Sequence, residues 1–122
     1  MGQSVVVLAS DQETAKSLAG GLGSHFRSVV LANSRDELRE KVAKNRPEAV
    51  VLDVEYARLS DVRNLHDDFP ALPIVCTHRI PDEELWTAAL EAGASDVCPA
   101  DDVQNVLTSV LHSVAMARTT AA

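Results

Sequence analysis

Short apolar, β-branched runs recur along the chain, and each is followed by a stretch in which apolar positions return at helical spacing. The first, Ser4-Val5-Val6-Val7-Leu8-Ala9, has no polar alternation, which predicts a strand buried on both faces, as in parallel sheets. Ser10-x-x-Glu13 reads as a capping box opening a helix on Ala15, Leu18, Ala19 and Leu22, weakened by Gly20, Gly21 and Gly23. Ser28-Val29-Val30-Leu31-Ala32 predicts the second strand, and Ser34-x-x-Glu37 a second capping box. In the helix that follows, Leu38, Val42 and Ala43 form the apolar stripe, and Glu37 with Lys41 forms an i,i+4 pair. Ala49-Val50-Val51-Leu52-Asp53-Val54 and Pro73-Ile74-Val75-Cys76-Thr77 predict strands three and four, separated by a helix of about two turns around Val62 to Asp68. Pro81-Asp82-Glu83-Glu84 starts the fourth helix and Gly93 stops it. Asp96-Val97-Cys98 is a short last strand, and Val103, Val106, Leu107, Val110, Leu111 and Val114 trace one face of a closing helix.

Strands alternating with helices in this way require right-handed crossovers and a parallel sheet covered on both faces. The expected fold class is therefore α/β, a doubly wound five-stranded parallel sheet. Chemistry in such folds sits at the carboxyl ends of the strands, near the point where strand order reverses. One domain over residues 1–118 accounts for the pattern, with Thr119-Thr120-Ala121-Ala122 as a frayed tail or the start of a linker.

Composition narrows the function. Eleven Lys and Arg against 18 Asp and Glu give a formal net charge of −7, which disfavours nucleic acid and anionic membranes as partners. No apolar run approaches the roughly 20 residues of a spanning helix, and Met1-Gly2-Gln3-Ser4 lacks the basic and apolar regions of a secretion signal, so a cytoplasmic location is expected. Cys76 and Cys98 lie in apolar segments outside any Cys-x-x-Cys pair and are expected as reduced, buried thiols. His25, His66, His78 and His112 lack metal-ligand spacing, and Gly20-Gly21-Leu22-Gly23 ends a helix instead of opening one, so neither a zinc site nor a phosphate loop is expected. No catalytic triad can be argued, and the chain is not expected to be an enzyme.

Two acids fall at the strand ends. Asp53 closes the run Val50-Val51-Leu52, where no helix follows immediately and burial without a partner would be costly. Asp11 follows strand one and either joins Asp53 in holding a hard cation such as Mg²⁺ or serves only the first turn of its helix. With a cation beside it, an aspartate is a competent nucleophile toward a phosphoryl donor.

Ser10-Asp11, Pro47-Glu48-Ala49-Val50-Val51-Leu52-Asp53, Leu72-Pro73-Ile74-Val75-Cys76-Thr77 and Ala89-Leu90-Glu91-Ala92-Gly93-Ala94 together make the chain resemble the receiver domains of two-component response regulators, over roughly residues 4 to 117. The resemblance implies the flavodoxin-like (βα)5 receiver fold. It implies phosphorylation of Asp53 by a histidine kinase or phosphotransfer protein, with Mg²⁺ held by Asp11, Asp53 and the backbone carbonyl of Glu55. It further implies contact with a downstream protein, or a homodimer, through the face of helix four, strand five and helix five.

The departures from that pattern predict an atypical member with a weak Mg²⁺ site. Ser10 stands where a second acid is usual, and Ala57, Ser60 and Asp61 occupy a loop that normally carries proline and an Asp-Gly-like ending. Ala100 replaces the lysine that pairs with phosphoryl oxygens, and Asp101 the following proline. Val97 stands where many receivers carry an aromatic switch residue on the contact face. The switch hydroxyl is open between Thr77 and His78: counting from Pro73 or from Ala-Leu-x-x-Gly puts His78 in register, and strand alternation lets only one of them face the site. Arg58, Arg79 or protonated His78 could replace the missing cation, or remain at the surface. Trp86 either anchors a contact from the outer side of helix four or packs under helix five. An enzyme or small-ligand binder on the same sheet would need more than Asp11 and Asp53.

Overall fold

The computed structural model describes residues 4–121, with side chains through residue 118. The reading of residues 1–3 as part of a leaderless start, and Ala122 of the expected tail, lie outside the described residues. Five strands and five helices alternate: β1 (Ser4–Leu8), α1 (Gln12–Leu22), β2 (Ser28–Leu31), α2 (Arg35–Asn45), β3 (Ala49–Asp53), α3 (Leu59–Asp68), β4 (Ile74–His78), α4 (Glu83–Ala92), β5 (Asp96–Pro99) and α5 (Val103–Ala121). All pairings are parallel, in the order β2-β1-β3-β4-β5, so strand order reverses between β1 and β3. The doubly wound five-stranded parallel sheet expected from the sequence is the observed fold. α5 runs through Thr119-Thr120-Ala121, the positions expected as a tail.

Strand alternation sorts the core into two layers. Val6, Leu8, Val50, Leu52, Ile74 and Cys76 face α2, α3 and α4, whereas Val5, Val7, Val51, Val75 and Cys98 face α1 and α5. β1 and β3 are buried at every position because helices cover both faces. β2 lies at an edge, and there Ser28 and Leu31 are exposed.

Three local expectations are corrected by the packing. α1 is capped by Asp11, which accepts the Thr14 N–H at 2.7 Å, and not by Ser10. In α2 the Ser34 cap holds, accepting the Glu37 N–H at 3.1 Å, but Ala43 is exposed while Leu38 and Val42 carry the burial. Glu37 also turns back to accept the Asn33 N–H at 2.7 Å. Pro81 precedes α4, whose cap is Asp82, accepting from Leu85 N at 2.8 Å. Gly93 does end α4, at φ 120°, a left-handed conformation that glycine adopts without a steric penalty.

Candidate functional site

Asp53 ends β3 at the carboxyl edge of the sheet, beside the point where strand order reverses, and is completely buried. A buried carboxylate must find donors, and the backbone supplies them. Oδ1 accepts the N–H groups of Glu55 at 2.8 Å and Tyr56 at 3.2 Å, because the chain turns immediately after the strand. Oδ2 accepts the Thr77 hydroxyl at 3.3 Å.

The register explains that last contact. Asp53 pairs with Thr77 across β3 and β4, and laterally paired residues of a parallel sheet point to the same side. Thr77 is therefore buried at the site, while the next residue, His78, is half-buried and accepts the Ile80 N–H at Nδ1, 3.0 Å. Counting along the sequence favoured His78. The structure places Thr77 against Asp53 because β4 runs from Ile74 to His78 and sets its phase from β3.

The loop leaving Asp53 is fastened on both sides. Toward β4, Glu55 accepts the Arg79 backbone N–H at 2.8 Å and its Nε–H at 3.1 Å. The Arg79 N–H, aided by the guanidinium, holds the Glu55 carboxyl below its ordinary range despite slight desolvation. Toward β2, the Tyr56 hydroxyl donates to the Asn33 carbonyl at 3.2 Å. At the start of α3, Asp61 is 5% exposed and accepts three bonds, from Arg35 Nε at 2.7 Å, Arg35 Nη2 at 3.1 Å and the Arg58 backbone N–H at 2.9 Å. Burial alone would push the Asp61 carboxyl up, but the Arg35 and Arg58 hydrogen bonds and the Arg35 charge outweigh it and hold the group below its usual value.

These fastenings engage two of the cations near the loop, Arg35 and Arg79, away from Asp53. Arg79 is paired with Glu55 and Arg35 with Asp61, and Arg58 is exposed at the N-cap of α3. Among the described residues no Lys, Arg or His forms an ion pair with Asp53. Ala100, where a lysine was expected to be lost, is buried, and its N–H donates to the His78 carbonyl at 2.9 Å.

The donors fit a divalent cation poorly. Asp11 is exposed and committed to capping α1, and the Thr14 backbone and hydroxyl hold its carboxyl below the ordinary range. Both Asp53 oxygens accept hydrogen bonds, and Ser10 adds no charge. Among the described residues no group of three or more His, Cys, Asp or Glu side chains is placed to hold a metal ion. Mg²⁺ prefers a compact set of oxygen ligands including carboxylates, which this edge does not assemble.

On α4, Ala89 and Ala92 are buried while Leu85 and Ala88 are half-buried, and Trp86 stands 46% exposed with Ile80 exposed just before the helix. Trp86 thus takes the outer position. Val97, expected on the contact face, is instead buried in the core among the α4 alanines, so its side chain offers no contact. Cys76 and Cys98 are free and buried, and burial pushes the Cys76 thiol up to about 12.

Arg35, Asp61, Tyr56 and Asn33 were not singled out as site residues from the sequence. The partnership of Asp61 with Arg35 arises only when α2 and α3 lie side by side, and an arginine at the N-cap of α3 gives no local signal for it.

No family model matches the chain. It is 34% identical over 101 residues to response regulator MprA of Mycobacterium leprae, covering 78% of this chain and 43% of that protein. To response regulator MprA of Mycobacterium bovis it is 31% identical over 105 residues, covering 81% and 44%. The chain therefore spans under half the length of these relatives. Among solved structures, a CheY-like response regulator receiver domain protein from Methanospirillum hungatei superposes with a TM-score of 0.87 at 13% identity, covering 98% of this chain and 99% of that one. NtrX from Brucella abortus, solved with ADP, gives a TM-score of 0.82 at 21% identity over 99% of this chain and 29% of that one. Among the described residues, no helix is long and apolar enough to cross a membrane.

Proposed function

Starting from the fact that this chain is a response regulator receiver domain of the two-component type, we propose that it works chiefly through protein contacts and accepts phosphate at Asp53 weakly or not at all. The observation that carries this reading is the state of Asp53: buried, hydrogen-bonded through both oxygens, and with no Lys, Arg or His side chain paired to it among the described residues, while Ala100 fills the lysine position. An aspartyl phosphate there would meet neither a charge partner nor the contact that normally pulls the loops into a second arrangement. The Glu55, Tyr56 and Asp61 fastenings oppose such a movement as well. Contact would run through the face of α4, β5 and α5, with exposed Trp86 as anchor. A histidine kinase or phosphotransfer protein upstream and a protein partner or second copy downstream remain the expected classes, in the cytoplasm and without nucleic acid bound by this domain. No catalytic step is assigned to it.

A second reading, an Mg²⁺-dependent phosphoacceptor, draws its support from one contact, the Thr77 hydroxyl already placed on Asp53. Intact mass after incubation with acetyl phosphate and Mg²⁺ separates the two. The first reading expects a phosphorylated fraction of no more than about a few per cent. Stoichiometric phosphorylation that disappears in Asp53→Asn would replace it with the second.

A further inference from the structure

At the end of the sheet remote from Asp53, the C-terminal turns of α2 and α5 and the loop between α3 and β4 border an apolar groove, open to solvent, of about 570 Å³. Its walls are Val42, Phe69, Leu72 and Val114, with Pro47 and Pro73 in the backbone segments that frame it. Proline fixes φ, so this wall is preformed and needs little ordering when occupied. The volume lies within the roughly 300–1,000 Å³ of small-molecule sites.

The charges around the mouth are unevenly matched. Arg118 is paired with Glu48, and Asp68 lies 3.8 Å from Arg39. Arg46, also on the lining, has no acidic partner among the described residues. It is also the one non-glycine residue with positive φ among the described residues, at φ 45° and ψ 62° where α2 ends. Glycine or asparagine would hold that left-handed cap at lower steric cost. The left-handed φ of Arg46 is accounted for by its place as the C-terminal cap of α2, where its N–H donates to the Val42 carbonyl; what the cap does not account for is an exposed guanidinium without an acidic partner among the described residues at the rim of an apolar groove.

We propose that this groove is a binding site for a small amphipathic organic acid, its apolar body seated among Val42, Leu72 and Val114 and its carboxylate on the Arg46 guanidinium. Because Val114 and Arg118 belong to α5 and Glu48 leads into β3, an occupant would bear directly on the C-terminal turns of α5. The site shares no residue with the Asp53 edge, so the two proposals stand or fall separately.

The test titrates octanoate, and octanol as its uncharged counterpart, into the full chain and follows methyl NMR signals. Saturable shifts at the Val42, Leu72 and Val114 methyls are expected with octanoate, and binding about tenfold weaker with octanol, the discrimination that one charge-assisted contact supplies. Arg46→Gly should fold at least as well, since glycine suits the left-handed cap, and should erase the preference for octanoate. Equal binding of the two probes, shifts scattered over the surface without saturation, or an undiminished preference in Arg46→Gly would each overturn the proposal.

Discussion

The two ends of the sheet are built on different principles. At the carboxyl end the loops are tied by charge and hydrogen bonds: Glu55 to Arg79, Tyr56 to Asn33, Asp61 to Arg35 and Arg58, and Asp53 to its own turn and to Thr77. At the amino end the connections are shaped by proline and glycine around apolar surface, with Pro47, Pro70 and Pro73 lining the groove and Gly93 closing α4. Directional bonds specify the position of one buried carboxylate, whereas backbone stiffness keeps a space open. A substitution should therefore act through lost bonds at one end and through steric fit at the other.

The largest effect is expected at the amino end. Gly93 has φ 120°, and a Cβ added there would lie 2.5 Å from Cγ of His66 on α3. Gly93→Ala combines a left-handed backbone penalty with a clash and should cost about 2–4 kcal/mol in urea unfolding. Alanine at position 66 would keep the Cβ that lies 2.6 Å away, so the double variant is Gly93→Ala with His66→Gly, which, measured against His66→Gly alone, removes the clash and should leave only about 1–2 kcal/mol from the backbone. Complete recovery would mean that φ contributes nothing, and the steric account of this end would need only the contact with His66.

At the carboxyl end, Asp61→Asn keeps an acceptor for the Arg58 N–H but removes the charge facing Arg35, whose side chain is 42% exposed. Because solvent can take up part of the arginine, the loss should be about 1–2 kcal/mol at neutral pH. Its pH dependence has a defined sign. The Asp61 carboxyl is held below its ordinary value in the folded chain, so the unfolded chain binds the proton first as pH falls. The stabilisation is present above the unfolded value of about 3.9 and is lost as pH drops through the folded one. The gap between wild type and Asp61→Asn should accordingly narrow below about pH 4. Amide exchange over residues 54–58 should also quicken in the variant at neutral pH. An unchanged exchange rate would show that the ion pair does not restrain the Asp53 loop.

The difference between the ends also explains what could be read from the sequence. The alternation of strands with helices and the burial of the strands were legible because runs such as Val50-Val51-Leu52 are apolar on both faces, and Ser34 and Gly93 marked helix limits through local backbone chemistry. Asp53 was legible because an acid ending such a run has few inexpensive explanations. Interactions set by tertiary placement were not. Thr77 against His78 depended on the β3–β4 register, Asp61 with Arg35 joins residues 26 apart, and Val97 turned inward because α4 packs over β5. Asp11 lay between these cases: its capping reading was local and is what the structure contains, in place of the Ser10 cap.

The smallest thermodynamic effect is expected where the carboxyl side is not tied. Trp86 follows the loop of Arg79 to Asp82, stands 46% exposed, and shares α4 with the exposed acids Glu83, Glu84 and Glu91. The burial of α4 is supplied by Ala89 and Ala92, so Trp86→Ala should change stability by less than about 0.5 kcal/mol. Acrylamide should quench its fluorescence in the native chain nearly as well as in the urea-unfolded one. A loss above about 1.5 kcal/mol would mean that Trp86 is packed as part of the fold, since surface substitutions rarely cost so much. A side chain of this size that the fold does not use is free to serve a partner, and the tied loop at Asp53 and the untied face of α4 would then divide the domain's work between holding a structure and presenting a surface.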